Sequence, residues 1–192
     1  MLRRLYDWTM GLAARPDAML ALFLVAFVES SFFPIPPDVL IIPMVLAARS
    51  RWARIALVGA AGSVLGALFG YWIGAAFMDT IGHAILATYG KEGQFATLAA
   101  RFEAWGAWAV LFAGLTPFPF KVITLFSGAV ALPLPLFILT TIIARAGRFL
   151  LVAWLLYRFG APIRDFIERR LGLMFALFLT ALLGGFYVVK FL

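Results

Sequence analysis

The chain contains Pro34-Ile35-Pro36-Pro37-Asp38-Val39 in its first half and Pro117-Phe118-Pro119-Phe120-Lys121-Val122 in its second half. Both segments lie inside long hydrophobic stretches, where proline breaks helices and a charged side chain is costly. The charge is negative in the first segment and positive in the second. Broken helices with ionisable groups at matching positions of two halves are typical of membrane translocation sites, so this pair of segments predicts transport.

The composition predicts a membrane protein. Of the 192 residues, 65% are hydrophobic and 13% are charged, and the mean hydropathy is +1.02. A soluble domain of this size could not bury that much apolar surface, so we expect one compact membrane domain over residues 1–192. The net charge of +7 comes mostly from arginine, which in a membrane protein indicates loops and anionic headgroups rather than nucleic-acid binding. With no cysteine and one histidine, His83, no metal or other cofactor is expected.

Short hydrophobic runs flank each proline segment. Met19 to Phe33 and Val39 to Ala48 are both too short to cross ~30 Å of hydrocarbon, which takes about 20 helical residues. Two short legs around a proline hinge predict a re-entrant hairpin, and a single kinked span is the alternative. Trp105 to Leu115 and Val122 to Leu132 predict a second hairpin. The hinge prolines of the two hairpins are Pro34, Pro36, Pro37, Pro117 and Pro119.

Three further segments have the length of spanning helices: Ile55 to Met78, Leu136 to Tyr157 and residues 171–190. The first of them carries glycine at every fourth position, which predicts a groove for close helix packing. These glycines are Gly62, Gly66, Gly70 and Gly74. The predicted organisation is an interfacial amphipathic helix (1–17), a hairpin with a spanning helix (18–78), an interfacial connector (79–103), a second hairpin with a spanning helix (104–158) and a C-terminal spanning helix (171–190).

The charges of the loops predict an orientation. One side of this topology holds Arg3, Arg4, Arg15, Arg49, Arg51, Arg54, Arg158, Arg164, Arg169 and Arg170, and the other holds Lys91, Arg101 and Lys190. The arginine-rich side, including the N-terminus, is therefore expected to be cytoplasmic. The excess of arginine over lysine and the abundance of alanine fit a GC-rich bacterial genome, so the expected membrane is a bacterial inner membrane. This assignment requires the hairpins to enter from opposite faces. The predicted fold is thus an all-α polytopic membrane protein with two opposed re-entrant hairpins in an inverted repeat.

Five ionisable residues have no route to a loop: Glu29, Asp38, Lys121, Arg145 and Arg148. A charge near mid-bilayer costs ~2.5–3.5 kcal/mol on insertion scales, so these groups are expected to face one another or a water-filled cavity. Three cations and two acids leave one positive charge unmatched, which suits a phosphate. Glu29 could also take up and release a proton. Ion pairs that only clamp the hairpins to the spanning helix are the structural alternative.

The chain resembles the DedA family, within the SNARE-associated Golgi protein or VTT-domain superfamily, and its YqaA-like subgroup in particular. The resemblance covers roughly Leu20 to Gly160. It rests on Glu29-Ser30-Ser31-Phe32-Phe33-Pro34-Ile35-Pro36-Pro37-Asp38, on Gly66, Gly70-Tyr71 and Gly74, and on Phe118-Pro119-Phe120-Lys121 with Ser127-Gly128. It implies opposed re-entrant hairpins and movement of lipids between leaflets, with undecaprenyl phosphate or a phospholipid as substrate, and a link to the proton motive force.

The resemblance also implies roles for single residues. Glu29 and Asp38 match the two membrane acids of the family, and Lys121 stands where the second arginine of an arginine-proline-arginine hinge is usual. The first of those arginines is missing, with Leu115 or Thr116 in its place, and the arginine pair at 145 and 148 could supply the lost charge.

The expected partners are membrane lipids with anionic phosphate headgroups, with protons as a further partner, and a homo-oligomer is compatible with the sequence. Two alternatives to lipid translocation stay open: a proton-coupled exporter or antiporter of small ions or drugs, and a membrane assembly factor that transports nothing. An intramembrane enzyme is disfavoured, because no Ser–His or paired-Asp arrangement occurs at a suitable depth.

Overall fold

The computed structural model describes residues 17–32, 36–116, 118–160 and 162, and within these ranges all regular secondary structure is helical. The helices are α1 (Ala18–Ser31), α2 (Asp38–Ala47), α3 (Trp52–Phe77), α4 (His83–Thr88), α5 (Glu92–Leu115), α6 (Phe120–Ala129) and α7 (Leu134–Gly160). A 3₁₀ turn, Arg49–Arg51, precedes α3, and a π-helical turn, Met78–Gly82, joins α3 to α4. The interfacial helix predicted for residues 1–17 lies outside the described residues except for Asp17, and the C-terminal span, Pro34 and Pro117 lie outside them entirely.

Two helical segments of the described chain are long and apolar enough to cross a membrane, and both were predicted. One comprises α3 with its helical extensions, Arg49–Thr88, and the other is α7, Leu134–Gly160. At 1.5 Å per residue, the 27 residues of α7 rise about 40 Å, more than the thickness of the hydrocarbon core. The 14 residues of α1 and the 10 each of α2 and α6 are too few to cross. The predicted all-helical fold is confirmed.

Proline sets where several helices begin. Pro37 directly precedes α2, Pro119 precedes α6 and Pro133 precedes α7. A proline in the first turn costs no backbone hydrogen bond, because the first amide groups of a helix have no partner within it, whereas the same residue blocks a helix that arrives from the N-terminal side. The proline segments therefore divide an apolar sequence into short helices without needing polar linkers.

Helix α5 differs from the prediction. The boundary expected at residues 103/104, between a connector and a short leg beginning at Trp105, lies inside a continuous helix of 24 residues. No proline interrupts residues 92–115, and alanine, glutamate and arginine are strong helix formers, so the helix passes from its polar start into its apolar end without a break. The remaining part of the expected connector is also mostly helical. It turns at Gly90, which has a φ of +61°.

Helix α3 packs on α1 through the first two residues of its glycine stripe. Gly62 lies against the backbone of Phe23, and Gly66 lies against the backbone of Phe27. A Cβ atom at either position would overlap the α1 main chain, so only glycine permits this approach. The paired residue numbers rise together, which means that α1 runs parallel to α3 and ends near its middle.

The rest of the glycine stripe packs on α6. Gly70 lies against the Thr124 side chain, and Gly74 lies against the backbone of Leu125. From α6, Gly128 approaches the backbone of Tyr71 in return. Helix α6 therefore runs parallel to the second half of α3, and its first turns overlap the last turn of α1, where both helices contact Gly70.

Helix α7 runs antiparallel to α3. Trp52 stacks on Tyr157 with ring centroids 5.7 Å apart near one end, and Tyr71 contacts Phe137 at 5.1 Å toward the other. One core of buried side chains, which includes Ile41, lies toward the start of α3. A second core, from α3, α5, α6 and α7, lies toward its end. Residues near position 145 of α7 therefore lie between the two cores.

Candidate functional site

The candidate site lies at the middle of α3 and α7. The proline turn between α1 and α2 and the proline turn between α5 and α6 both reach this level. Four of the five predicted charges form ion pairs there, Glu29 with Arg145 and Asp38 with Arg148. Helix α7 supplies both arginines from residues three apart, which places them on one side of the helix. The acids come from the end of α1 and the start of α2, so both pairs join the first proline turn to α7.

The ion pair of Glu29 with Arg145, called the inner pair, is the more buried of the two. Arg145 Nη2 donates to Glu29 Oε2 at 2.7 Å, and the two side chains are 1% and 15% exposed. The Arg145 Nε–H group donates to the Ser63 hydroxyl of α3. The rings of Phe120 and Phe149 lie on the guanidinium group, each centroid 4.8 Å from Cζ. A buried charge needs this combination of an opposite charge, hydrogen bonds and aromatic faces, and Arg145 has all three.

Hydroxyl groups extend the inner pair to two further helices. Ser30 donates to Glu29 Oε2 at 3.1 Å, and its oxygen lies 2.7 Å from the Ser63 hydroxyl oxygen. Thr124 of α6 donates to the Ser30 carbonyl at 2.9 Å. Sequence reasoning missed Ser30, Ser63 and Thr124. The available signals were the serine directly after the membrane acid and the serine within the glycine stripe.

The ion pair of Asp38 with Arg148, called the outer pair, is more exposed to solvent. Arg148 Nη2 donates to Asp38 Oδ2 at 2.6 Å, and the two side chains are 20% and 24% exposed. Asp38 is the first residue of α2, where a carboxylate is favoured by the positive end of the helix dipole. Arg148 Nη1 also donates to the Thr116 carbonyl at 3.3 Å, at the turn that follows α5. One guanidinium group therefore ties the first proline turn to the second.

Lys121 is placed differently from the other four charges. It is the second residue of α6, is partly buried, and forms no ion pair within the described part of the chain. The five residues comprise three cations and two carboxylates. The site therefore carries one positive charge more than its acids neutralise, on a residue one position from the Phe120 ring that covers Arg145.

Two of the three hinge prolines that the structure describes, Pro37 and Pro119, directly precede a short helix that carries a site residue. Pro36 is exposed one residue earlier. Within residues 17–32, 36–116, 118–160 and 162, no group of three or more His, Cys, Asp or Glu side chains is arranged to hold a metal ion.

Residues 35–158 match the family model of the VTT domain. Two similar proteins, both described as uncharacterized, come from Haemophilus influenzae and Histophilus somni. Each is 37% identical over 168 residues, which covers 85% of this chain and 87% of the relative. No solved structure matches the chain. The domain match includes Asp38, Lys121, Arg145 and Arg148, and Glu29 lies six residues before its start.

Proposed function

This chain belongs to the VTT domain family of membrane proteins, as its resemblance to the DedA family predicted, and we propose that it moves an anionic lipid between the two leaflets of a bilayer. The family is generally linked to membrane transport. The substrate class we propose is a lipid with a phosphate headgroup, such as undecaprenyl phosphate or a phospholipid. The protein acts as a carrier and not as an enzyme.

One observation carries this proposal: both proline turns end beside the middle of the two long helices. Helix α1 ends at Ser31 near the midpoint of α3, and α2 leads back to Arg49 at the start of α3. Helix α6 begins near the same level and runs toward the opposite end of α3. If α3 and α7 cross the bilayer, α1 and α2 enter and leave on one face. Helix α5 and helix α6 then enter and leave on the opposite face. We therefore propose two re-entrant hairpins related as an inverted repeat.

The charges at the two ends support an orientation. Arg49, Arg51, Arg54 and Arg158 are exposed at the end where α3 begins and α7 finishes, whereas Lys91 and Arg101 are exposed beyond the other end. Positively charged loops favour the cytoplasmic side, so the first hairpin would open toward the cytoplasm of a bacterial inner membrane. The chain's N-terminal segment would then also be cytoplasmic.

The chemistry of the outer pair and Lys121 supports a phosphate headgroup. A guanidinium group binds phosphate through two parallel hydrogen bonds, and Lys121 adds a positive charge. Asp38 competes with such a headgroup for Arg148, so a phosphate could bind as the carboxylate leaves and be released as it returns. While Glu29 is ionised, the inner pair would stay closed and hold the turns in place. Proton uptake by Glu29 could couple the cycle to a proton gradient.

The test is the transfer of a fluorescent phosphate-bearing lipid in vesicles that contain the pure protein, followed with a quencher that cannot cross the membrane. We expect Arg148→Ala and Lys121→Ala to slow transfer strongly. The matched control is Arg54→Ala, an exposed arginine outside the site, which should transfer lipid at the wild-type rate. Equal transfer by wild type and both site variants would remove the assigned site. Transfer no faster than in protein-free vesicles would remove the function.

A further inference from the structure

Three buried polar groups, one in the inner pair and two on the helices α6 and α7, have no hydrogen-bond partner among the described residues. They are the second terminal nitrogen of the buried arginine, Arg145 Nη1, and the hydroxyl groups of Thr141 and Ser127. A buried donor or acceptor left unsatisfied destabilises the folded state, so each of these three groups needs a partner. Buried water is the usual partner of such groups. A fourth such atom, Thr116 Oγ1, belongs to the turn beside Arg148 instead.

Helices α6 and α7 meet where the Phe120 ring covers the Arg145 guanidinium group, and Ser127 and Thr141 share a helix stripe with these two residues. Thr141 is one helical turn before Arg145 on the same stripe of α7. Ser127 is two helical turns after Phe120 and therefore on the same face of α6. The Phe120 ring on that face covers the Arg145 guanidinium group. Because α6 runs parallel to α3 and α7 runs antiparallel to it, Thr141 and Ser127 lie on the same side of Arg145, toward the end of α3.

Beyond Arg145, the side chains on the same stripe of α7 are apolar. The same stripe of α7 continues through Phe149 to Ala153, and these two side chains pack with Ile41 and Ile55 in the first core. Buried polar residues are confined to the site, α6 and the first half of α7 within the described ranges: Ser30, Ser31, Ser63, Thr124, Ser127, Thr140, Thr141 and Arg145. The polar groups between the inner pair and the arginine-rich end are those of the outer pair, Asp38 with Arg148, and of the Thr116 turn that Arg148 contacts.

We propose that water occupies a seam between α6 and α7 at Arg145 Nη1, Thr141 Oγ1 and Ser127 Oγ, and that this seam hydrates the inner pair from one membrane face only. The proposal rests on the proposed function in one respect, the spanning orientation of α3 and α7. It adds a direction to that function. In this arrangement the inner pair is connected to the face at the end of α3, and the first core closes the Phe149–Ala153 stripe of α7 toward the arginine-rich face.

Single cysteines test the seam directly, because the natural chain has none. Thr141→Cys and Ser127→Cys place a thiol in the seam, and Ala153→Cys is the matched control on the same stripe of α7. The natural residues at 141 and 153 are equally hidden, with 1% and 0% exposure, so a difference in reactivity reports water and not surface exposure. The probe is Ag⁺, which reaches thiols through aqueous paths. Thiols that Ag⁺ has not blocked are counted with a maleimide after denaturation.

We expect Ag⁺ to abolish most maleimide labelling at 141 and 127, and to leave labelling at 153 intact. The loss should occur in only one of two preparations, right-side-out or inverted membrane vesicles. No loss at either seam position would overturn the proposal, as would equal loss at 153 or equal loss from both faces. Serine and cysteine differ by one atom, so Ser127→Cys keeps the test valid if Thr141→Cys folds poorly.

The lipid-transfer assay separates this proposal from the proposed function. Unreactive seam thiols in a protein that transfers lipid would overturn the seam alone. Reactive seam thiols in a protein that transfers no lipid would overturn lipid translocation alone.

Discussion

The two arginines of α7 lie three residues apart and occupy opposite environments. Arg145 is fully enclosed by Glu29, Ser63 and two phenyl rings, whereas Arg148 and its partner Asp38 are each about one-fifth to one-quarter exposed. A buried pair that loses one partner leaves an uncompensated charge, but a partly exposed pair can exchange its partner for water or another anion at little cost. The inner pair is therefore suited to holding the turns together, and the outer pair is suited to binding and releasing a ligand.

Breaking the inner pair should give the largest effect on stability. Glu29→Ala removes the carboxylate that neutralises Arg145 and should lower the free energy of unfolding by ~3–5 kcal/mol, the usual result of orphaning a buried charge. Thermal unfolding of the purified protein in detergent measures it. The double variant Glu29→Leu with Arg145→Met removes both charges and should recover much of the loss. If Glu29→Ala unfolds at the wild-type temperature, the inner pair does not hold the turns together.

The next effect concerns the packing that brings α1 to the inner pair. Gly66→Ala places a Cβ atom where the Phe27 backbone now lies, so α1 must move away from α3, at a cost of ~1–3 kcal/mol. That movement would also carry Glu29 away from Arg145. Gly93→Ala is the matched control, since no atom lies within 4 Å of a Cβ there, and it should gain up to ~1 kcal/mol from better helix propensity. Similar melting temperatures for the two variants would contradict the close α1–α3 contact.

The comparison also separates what the sequence could predict from what it could not. The cost of a membrane charge singled out Glu29, Asp38, Arg145 and Arg148 before their partners were known. The pairing itself depends on how far each short helix extends and on its rotation, which periodicity does not fix. Within the predicted cluster, four charges form two ion pairs, and Lys121 belongs to neither pair.

The hydrogen bonds of the hydroxyl groups and the full length of α5 could not be predicted from the sequence, for similar reasons. Ser63 lies among glycines and alanines, where a small residue is explained by close packing, and only the structure shows its bond to Arg145. The start of α5 differs from the prediction because the change from polar to apolar composition near Trp105, which predicts a new apolar leg, is not a helix boundary. The residues on both sides of that change have high helix propensity, so the helix is continuous, whereas its buried residues are confined to its second half.

Breaking the outer pair should have the smallest effect on stability and a distinct effect on binding. Asp38→Asn should change the free energy of unfolding by less than ~1 kcal/mol, because Arg148 keeps its contact with solvent and with the Thr116 carbonyl. The variant also removes the internal anion that competes for Arg148. A soluble short-chain lipid phosphate should then bind more tightly, by up to about tenfold, which equals ~1.4 kcal/mol. Asp79→Asn, which neutralises an exposed acid outside the site, should change neither quantity. Weaker binding by Asp38→Asn would mean that the carboxylate helps to form the phosphate site, and the exchange at Arg148 would have to be abandoned even if the protein transfers lipid.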